Sequence, residues 1–264
     1  MDVVLYHVHT IIIKEGRLYM KSPIPWIGGK SLLKNTILNE FPNNKSYNRF
    51  IDVFGGGGSI LFAKDKHAEL EVYNDANSDL VNLFRCIKYH AQELQREIRY
   101  YLNSREMFFD CQQRIDMRGF TDIQRAAMFY VLVKTGFGAS TRTFGCNKKR
   151  FNTDIFGSIE QRLDGVVIEN KDFENLIKVY DREKALFYCD PPYHKTERHY
   201  TVKFTDDDHK RLCRALFNVK GKFVLSYNDD EYIRKLYKNF NIIPVERNNN
   251  LSQGTFKEVI IKNF

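Results

Sequence analysis

From Ala185 to Tyr193 the chain reads A-L-F-Y-C-D-P-P-Y, so an acid, two prolines and an aromatic ring directly follow an apolar, strand-forming run. Two successive prolines are hostile to the interior of a strand or helix. They fix the backbone and leave carbonyls without ladder partners at the end of the strand. Asp190 and the Pro191 carbonyl can then accept the two N–H bonds of an exocyclic amino group on a flat base, while Pro192 holds the turn and Tyr193 stacks on the ring. The plainer alternative is a rigid turn with a capping Asp.

A second constellation lies upstream. Phe50-Ile51-Asp52-Val53-Phe54 runs into four consecutive glycines, Gly55 to Gly58, and then Ser59. Glycine lets a backbone turn sharply and approach a ligand with no Cβ in the way. The next strand ends in Val72-Tyr73-Asn74-Asp75. In nucleoside-binding sheets an acid at that point accepts hydrogen bonds from ribose hydroxyls. A pyrophosphate site is the main competitor, but neither GxGxxG nor GxxxxGK[ST] spacing is present.

These motifs need a sheet to hold them. Asn48–Phe54, Glu69–Asn74, Val166–Glu169, Ala185–Cys189 and Lys222–Ser226 are short apolar runs, most of them ending in a polar or glycine turn before helical periodicity resumes. Thr205 can cap a helix whose first turn carries Asp206, Asp207 and Asp208. Such alternation predicts an α/β fold with a mainly parallel, Rossmann-like sheet and helices on both faces. Its ligand lies beyond the carboxyl ends of the strands. Ile242–Glu246 and Phe256–Ile261 read as a closing antiparallel pair.

Residues 77–165 interrupt the rhythm. Asn77–Met117 reads as long and helical, and Ile123–Lys134 as a core helix. Thr135–Gly157 has no helical period and reads as loop and hairpin. The expected division is an extension over residues 1–20, a catalytic domain over 21–76 and 166–264, and an inserted recognition subdomain over 77–165. Val3–Ile13, the turn at Lys14-Glu15-Gly16 and Arg17–Lys21 suit a short hairpin.

Composition bounds the function. The 264 residues carry 41 Lys and Arg against 33 Asp and Glu, a net charge of +8 that favours an anionic partner. An apolar share of 43% is that of a soluble globular chain. No run approaches the ~18–20 apolar residues of a bilayer span, and the N-terminus lacks the basic start of a signal peptide. Five scattered cysteines form no CxxC pair. Membrane, secreted, zinc-ribbon and fibrous classes are excluded, leaving a reduced, cytoplasmic protein as the simplest reading.

The chain resembles the Dam-like DNA N6-adenine methyltransferases, which use S-adenosylmethionine. The resemblance rests on Pro25-Trp26-Ile27-Gly28-Gly29-Lys30, the F-x-G-x-G loop from Phe54 to Gly58, Asn74-Asp75-Ala76-Asn77-Ser78-Asp79-Leu80, Glu169-Asn170-Lys171-Asp172-Phe173 and Asp190-Pro191-Pro192-Tyr193, in the family's order. It implies that Trp26 and Lys30 line the cofactor pocket, and that Phe54, Gly55 and Gly57 pass under the methionine part. Asp75 would hold the ribose, and Asp172 and Phe173 would flank the adenine. Asp190 would sit between methyl donor and target amine. Core packing remains the alternative for Trp26 and Phe173, a solvated helix start for Lys30, and a helix N-cap for Asp172.

The implied activity is site-specific methylation of a flipped adenine in double-stranded DNA by a bacterial or phage-encoded monomer, with no metal. In the insertion, Arg142 aligns with a family arginine that reads a base edge, and arginine pairs well with guanine. Lys148, Lys149 and Arg150 suit phosphate contacts. Phe151-Asn152 resembles the family's F-N after its hairpin, whereas Thr153-Asp154-Ile155-Phe156-Gly157 replaces a V-P-F-G segment, so a GATC site is not carried over. His194, Lys195, Arg198, His199 and Lys203 form a polar segment behind Tyr193 that could contact the DNA backbone or close over the site. The competing functions are cytosine-N4 or RNA amino-methylation, and an inactive nucleic-acid-binding module on the same fold.

Overall fold

A computed structural model describes residues 11–14, 17–30, 33–146, 151–196, 202–248 and 255–264. The chain opens with an antiparallel hairpin, β1 (Ile11–Lys14) and β2 (Arg17–Met20), in which Ile11 faces Met20. α1 (Lys34–Asn39) precedes β3 (Arg49–Asp52) and β4 (Leu70–Asn74). Five helices follow: α2 (Ser78–Tyr89), α3 (Ala91–Ile98), α4 (Arg105–Arg114), α5 (Asp122–Thr135) and α6 (Phe156–Leu163). Then come β5 (Val166–Glu169), α7 (Phe173–Tyr180), β6 (Ala185–Cys189), α8 (Asp206–Phe217), β7 (Lys222–Asn228), α9 (Glu231–Leu236), β8 (Asn241–Asn248) and β9 (Thr255–Lys262).

β3 to β9 form one sheet in the order β5-β4-β3-β6-β7-β9-β8. β3 to β7 are parallel, and β9 pairs antiparallel with both β7 and β8. From β3 the chain winds outward through β4 and β5, then returns to β6 on the other side of β3. The order therefore reverses between β3 and β6, and a crevice opens beyond their carboxyl ends, where doubly wound sheets bind ligands.

Side chains alternate along each strand with period two, and both faces are apolar. Phe50, Tyr73, Leu186, Tyr188, Val224 and Ile260 face one core, shared with α1 to α6. Ile51, Val72, Phe187, Leu225 and Ile261 face the other, shared with α7 to α9. Pro244 sits in the edge strand β8, where a missing donor is tolerated. Arg162 of α6 and Glu71 of β4 form a buried ion pair at 2.6 Å, which joins the inserted helices to the sheet. No helix among the described residues is long and apolar enough to cross a membrane.

Two expectations need correction. Asn77–Met117 is three helices rather than one. His90 leaves the helical region at φ −142° and ψ 38°, and Ser104 starts α4 afresh by accepting the Met107 N–H at 3.1 Å. Periodicity persists across such breaks and hides them. The aperiodic segment expected through Gly157 ends early, because α6 begins at Phe156.

Candidate active site

Four strand ends build the crevice. β3 runs into the glycine loop, where Gly55 N–H donates to the Asn74 carbonyl at 2.7 Å and Val53 N–H to the Tyr188 carbonyl at 2.9 Å. The loop is thus pinned to both neighbouring strands. Gly56 has φ +50°, a conformation side chains resist, and a Cβ there would lie 2.7 Å from Trp26 Cδ1. A Cβ on Gly55 would lie 2.3 Å from the Tyr73 ring. The glycines are therefore required by the loop's own packing on aromatic side chains, in addition to any ligand.

At the end of β4, the Asp75 carboxylate accepts from Gly56 N–H at 2.9 Å and Asn77 N–H at 2.8 Å. Burial pushes its pKa up, against the pull of those amides. Asn74 ties three strand ends together. Its Nδ2 donates to the carbonyls of Val53 and Lys171 at 2.9 and 3.1 Å, and its Oδ1 accepts from Lys171 N–H at 2.8 Å. Beyond β5, Asp172 caps α7 by accepting from Glu174 and Asn175 N–H groups. The Arg211 guanidinium pairs with Asp172, Glu174 and Asp208, and lies 4.8 Å from the Phe173 ring centroid. Phe54, Phe173 and Phe204 form an aromatic triangle with centroid separations of 5.6, 5.9 and 5.7 Å.

At the end of β6, Asp190 is held from two sides. Lys30 Nζ lies 2.7 Å from Oδ2, and Ser226 Oγ donates to Oδ1 at 2.8 Å. Burial raises the Asp190 pKa, and Lys30 and Ser226 oppose the rise. Lys30 also donates to the Gly28 carbonyl at 2.9 Å and sits 4.7 Å from the Tyr193 ring centroid. The Tyr193 hydroxyl donates to Glu258 Oε2 at 2.5 Å.

One cleft is lined by Trp26, Lys30, Phe54, Gly55, Gly57, Asp75, Asp172, Phe173, Asp190 and Pro192. Every cofactor residue expected from sequence is among them. Pro191 is buried and Tyr193 half-buried, and neither is among the residues that line the cleft. The cleft also contains residues to which sequence assigned no part in ligand binding: Asp52, Asn74, Phe204 and Asp208. Asp52 is buried at the end of β3, and its Oδ1 has no hydrogen-bond partner among the described residues. Burial, Asp190 and Asp75 together push its pKa well above the usual carboxylate range. An acid inside the apolar run F-I-D-V-F was the available signal for it.

His194 and Lys195 do not line the cleft. His194 Nδ1 and Asp230 Oδ1 are 2.9 Å apart, and Lys195 Nζ donates to Asp230 Oδ2 at 2.8 Å. Lys203 is exposed and lines the cleft. Arg198 and His199 lie outside the described residues.

The expected recognition residues lie elsewhere, on the segment after α5. There a tight turn closes with Phe137 N–H donating to the Thr143 carbonyl at 2.7 Å and Gly145 N–H to the Thr135 carbonyl at 2.8 Å. Gln112 of α4 donates to the carbonyls of Thr141 and Arg142. Arg142 is exposed on this turn, and Phe137 is 74% exposed beside it. Asn152 is exposed, and its Oδ1 accepts from Asp154 N–H at 3.1 Å. Lys148, Lys149 and Arg150 fall outside the described residues.

A doubly wound sheet with a glycine loop after its first strand, an acid after its second and D-P-P-Y after its fourth defines an amino-methyltransferase of the Rossmann-like class. The signature of the D12 class N6 adenine-specific DNA methyltransferases matches residues 26–251, and the chain belongs to that family. A type II methyltransferase, M1.LlaDCHI, from Lactococcus lactis subsp. cremoris is 27% identical, covering 96% of this chain and 99% of its own. The type II methyltransferase M.CviBI of Paramecium bursaria Chlorella virus NC1A is 25% identical over 84% of this chain and 88% of its own. A DNA adenine methylase of Haemophilus influenzae is 24% identical over 90% of both chains. The family's methyl donor is S-adenosylmethionine.

Proposed function

We propose that this chain methylates N6 of a flipped adenine in double-stranded DNA, with Asp190 to Tyr193 as the catalytic segment. The observation that carries the reading is the placement of Asp190 at the switch point, bonded to Lys30 and Ser226 and next to the Tyr193 ring. The cleft's donor set fits S-adenosylmethionine. Asp75 suits ribose hydroxyls, Phe54, Phe173 and Asp172 suit a purine, and the orphaned Asp52 Oδ1 suits a cationic group. Trp26, Lys30, Gly55 and Gly57 complete the wall. When bound, the cofactor supplies an electrophilic methyl group.

The exocyclic amine of adenine is a poor nucleophile because its lone pair is delocalised into the ring. Asp190 and the Pro191 carbonyl accept its two N–H bonds and favour a pyramidal nitrogen with a localised lone pair. Each Asp190 oxygen can accept a second bond beside those from Lys30 and Ser226. Lys30 favours the ionised carboxylate, so Asp190 accepts rather than donates. The gain comes from alignment and from negative charge near a nitrogen that becomes positive. No strong general base is needed, since the proton can leave after transfer.

A base inside a duplex is out of reach and must be flipped. Tyr193 stacks on it. Residues 21–76 and 166–264 serve as the catalytic domain, 77–165 as the recognition subdomain and 1–20 as an extension. Arg142 reads a base edge, Asn152, Lys148, Lys149 and Arg150 contact the backbone, and exposed Phe137 fills the gap in the stack. Apolar wedges of this kind are a general way to hold a distorted step. We read the protein as a cytoplasmic monomer.

The test is incubation with methyl-labelled S-adenosylmethionine and unmethylated DNA, followed by nucleoside analysis. N6-methyladenine is expected, and Asp190→Ala abolishes it while DNA binding persists. No labelled adenine on any DNA, or full activity in Asp190→Ala, overturns the reading.

A further inference from the structure

β7 and β9 pair with Ser226 opposite Ile260 and Asn228 opposite Glu258. Opposed residues, and residues two apart on one strand, share a face of the sheet. Ser226, Asn228 and Glu258 therefore form one patch, and all three grip the segment after β6. Ser226 Oγ donates to Asp190 Oδ1 at 2.8 Å, Asn228 Nδ2 donates to the His194 carbonyl at 3.2 Å, and Glu258 accepts from the Tyr193 hydroxyl at 2.5 Å.

Glu258 is the unexpected member. It is 3% exposed, and burying a carboxylate is unfavourable unless it is well bonded. Its charge also raises the Asp190 pKa, which works against an ionised Asp190. A β-branched residue would suit the strand without either penalty. Methyl transfer as argued above makes no use of Glu258, so its burial needs another reason. A charge-assisted bond from a phenol to a carboxylate is short and directional. It fixes the Tyr193 ring at its outer edge, while Lys30 sits 4.7 Å from the ring centroid and 2.7 Å from Asp190.

We propose that Glu258 is a positioning residue for the target base, holding the Tyr193 ring so that the stacking plane and the amine acceptor Asp190 form one rigid unit. This rests on the reading of Tyr193 as the stacking partner of the flipped base.

The test uses the full-length protein and a duplex carrying its site, mapped beforehand by sequencing methylated plasmid DNA. Single-turnover methyl transfer gives the rate, 2-aminopurine at the target position reports stacking after flipping, and the fluorescence of Trp26, the one tryptophan of the chain, reports cofactor affinity. Glu258→Ala lowers the rate about tenfold or more and brightens 2-aminopurine emission, with cofactor affinity unchanged. Glu258→Gln, which keeps an acceptor, stays within about threefold of wild type. Tyr193→Phe reproduces the loss, and in that background Glu258→Ala adds less than about twofold, because contacting residues couple. Should Glu258→Ala fail to fold, Glu258→Thr suits a strand and is too short to reach the phenol, so it carries the same cycle. Wild-type rate and emission in the short variants, or effects that multiply in the double variant, overturn the proposal. A Tyr193→Ala protein with wild-type rate overturns the stacking reading itself. A slow Tyr193→Ala beside an undisturbed Glu258→Ala overturns only the role of Glu258.

Discussion

Lys30 Nζ lies 2.7 Å from Asp190 Oδ2, so the segment before α1 supplies the counter-ion for the loop after β6. Burial drives the Asp190 carboxyl toward its neutral form, and Lys30 is the first influence opposing it. Lys30→Met therefore raises the Asp190 pKa further, and the ionised form disappears at higher pH than in wild type. The acid limb of the single-turnover rate profile moves to higher pH, and the plateau rate falls by about 10²-fold, the scale of losing one electrostatic partner at a reacting centre. An unmoved acid limb would show that another group sets it.

Asp52 gives a prediction about stability. Its pKa is raised by burial first, then by Asp190 and Asp75, so the folded protein holds this proton more tightly than the unfolded chain does. That contribution is favourable at low pH and is lost as pH rises through the raised value. Asp52→Asn therefore stabilises the cofactor-free protein above that raised value by on the order of 1 kcal/mol, relieving a buried, incompletely bonded charge. The gain shrinks as pH falls and the wild-type carboxyl takes up its proton. Urea unfolding across a pH series checks the sign. A variant less stable than wild type at the alkaline end would mean that Asp52 is better bonded than its orphaned Oδ1 indicates.

The glycine loop predicts a coupled loss. An alanine at position 56 would place its Cβ 2.7 Å from Trp26 Cδ1 with φ near +50°. Left-handed backbone costs a non-glycine residue about 1–2 kcal/mol, and displacing Trp26 adds to it. Gly56→Ala lowers the melting temperature and weakens cofactor binding together, because the strained loop and Trp26 are parts of the same wall. Differential scanning calorimetry and a Trp26 fluorescence titration measure the two. Loss of affinity without loss of stability would assign Gly56 to ligand approach alone.

These predictions mark how far the sequence was legible. Asp75, Asp172, the glycine loop, Asp190 and Pro192 each follow a strand within a few residues, so contiguous motifs located residues that line one cleft. Glu258 stands 65 residues from Tyr193, and their bond exists because β9 pairs with β7. Nothing local in K-E-V-I-I announces that pairing. Arg211 looks like an ordinary surface position of α8 until α7 packs beside it. Alternation of strands and helices indicated a parallel sheet, but the insertion of β9 between β7 and β8 is a tertiary choice. Asp172 caps α7, the plainer reading weighed from sequence, and it also lines the cleft.

Arg211 clamps the wall of that cleft formed by Asp172, Phe173 and Asp208. It bonds to Asp172 and Glu174 of the α7 start and to Asp208 of its own helix, and it covers the Phe173 ring. The guanidinium is one-third exposed, so its ion pairs are screened and worth little singly. Arg211→Ala is expected to weaken cofactor binding by about three- to tenfold and leave the rate at saturating cofactor near wild type. The wild-type affinity should fall with added salt toward that of the variant. An unchanged cofactor affinity would make the clamp purely structural.

Phe137 and Arg142 allow two components of the DNA recognition proposed above to be tested separately. Phe137 is 74% exposed on a turn braced by its own backbone bonds and by Gln112, so removing its ring leaves stability within about 0.5 kcal/mol of wild type. If it wedges into the stack, Phe137→Ala lowers 2-aminopurine emission at the target, because fewer bases are held out, and slows methylation of every site by a similar factor. Arg142→Ala acts differently. Loss of a bidentate base contact costs about 1–3 kcal/mol at one position, so the variant methylates sites altered at that position nearly as fast as the cognate one. Sequencing of methylated genomic DNA from cells expressing each variant distinguishes the two outcomes. An unchanged site distribution with Arg142→Ala would remove that residue from base readout, and a broadened distribution with Phe137→Ala would assign the ring to sequence choice rather than to the stack.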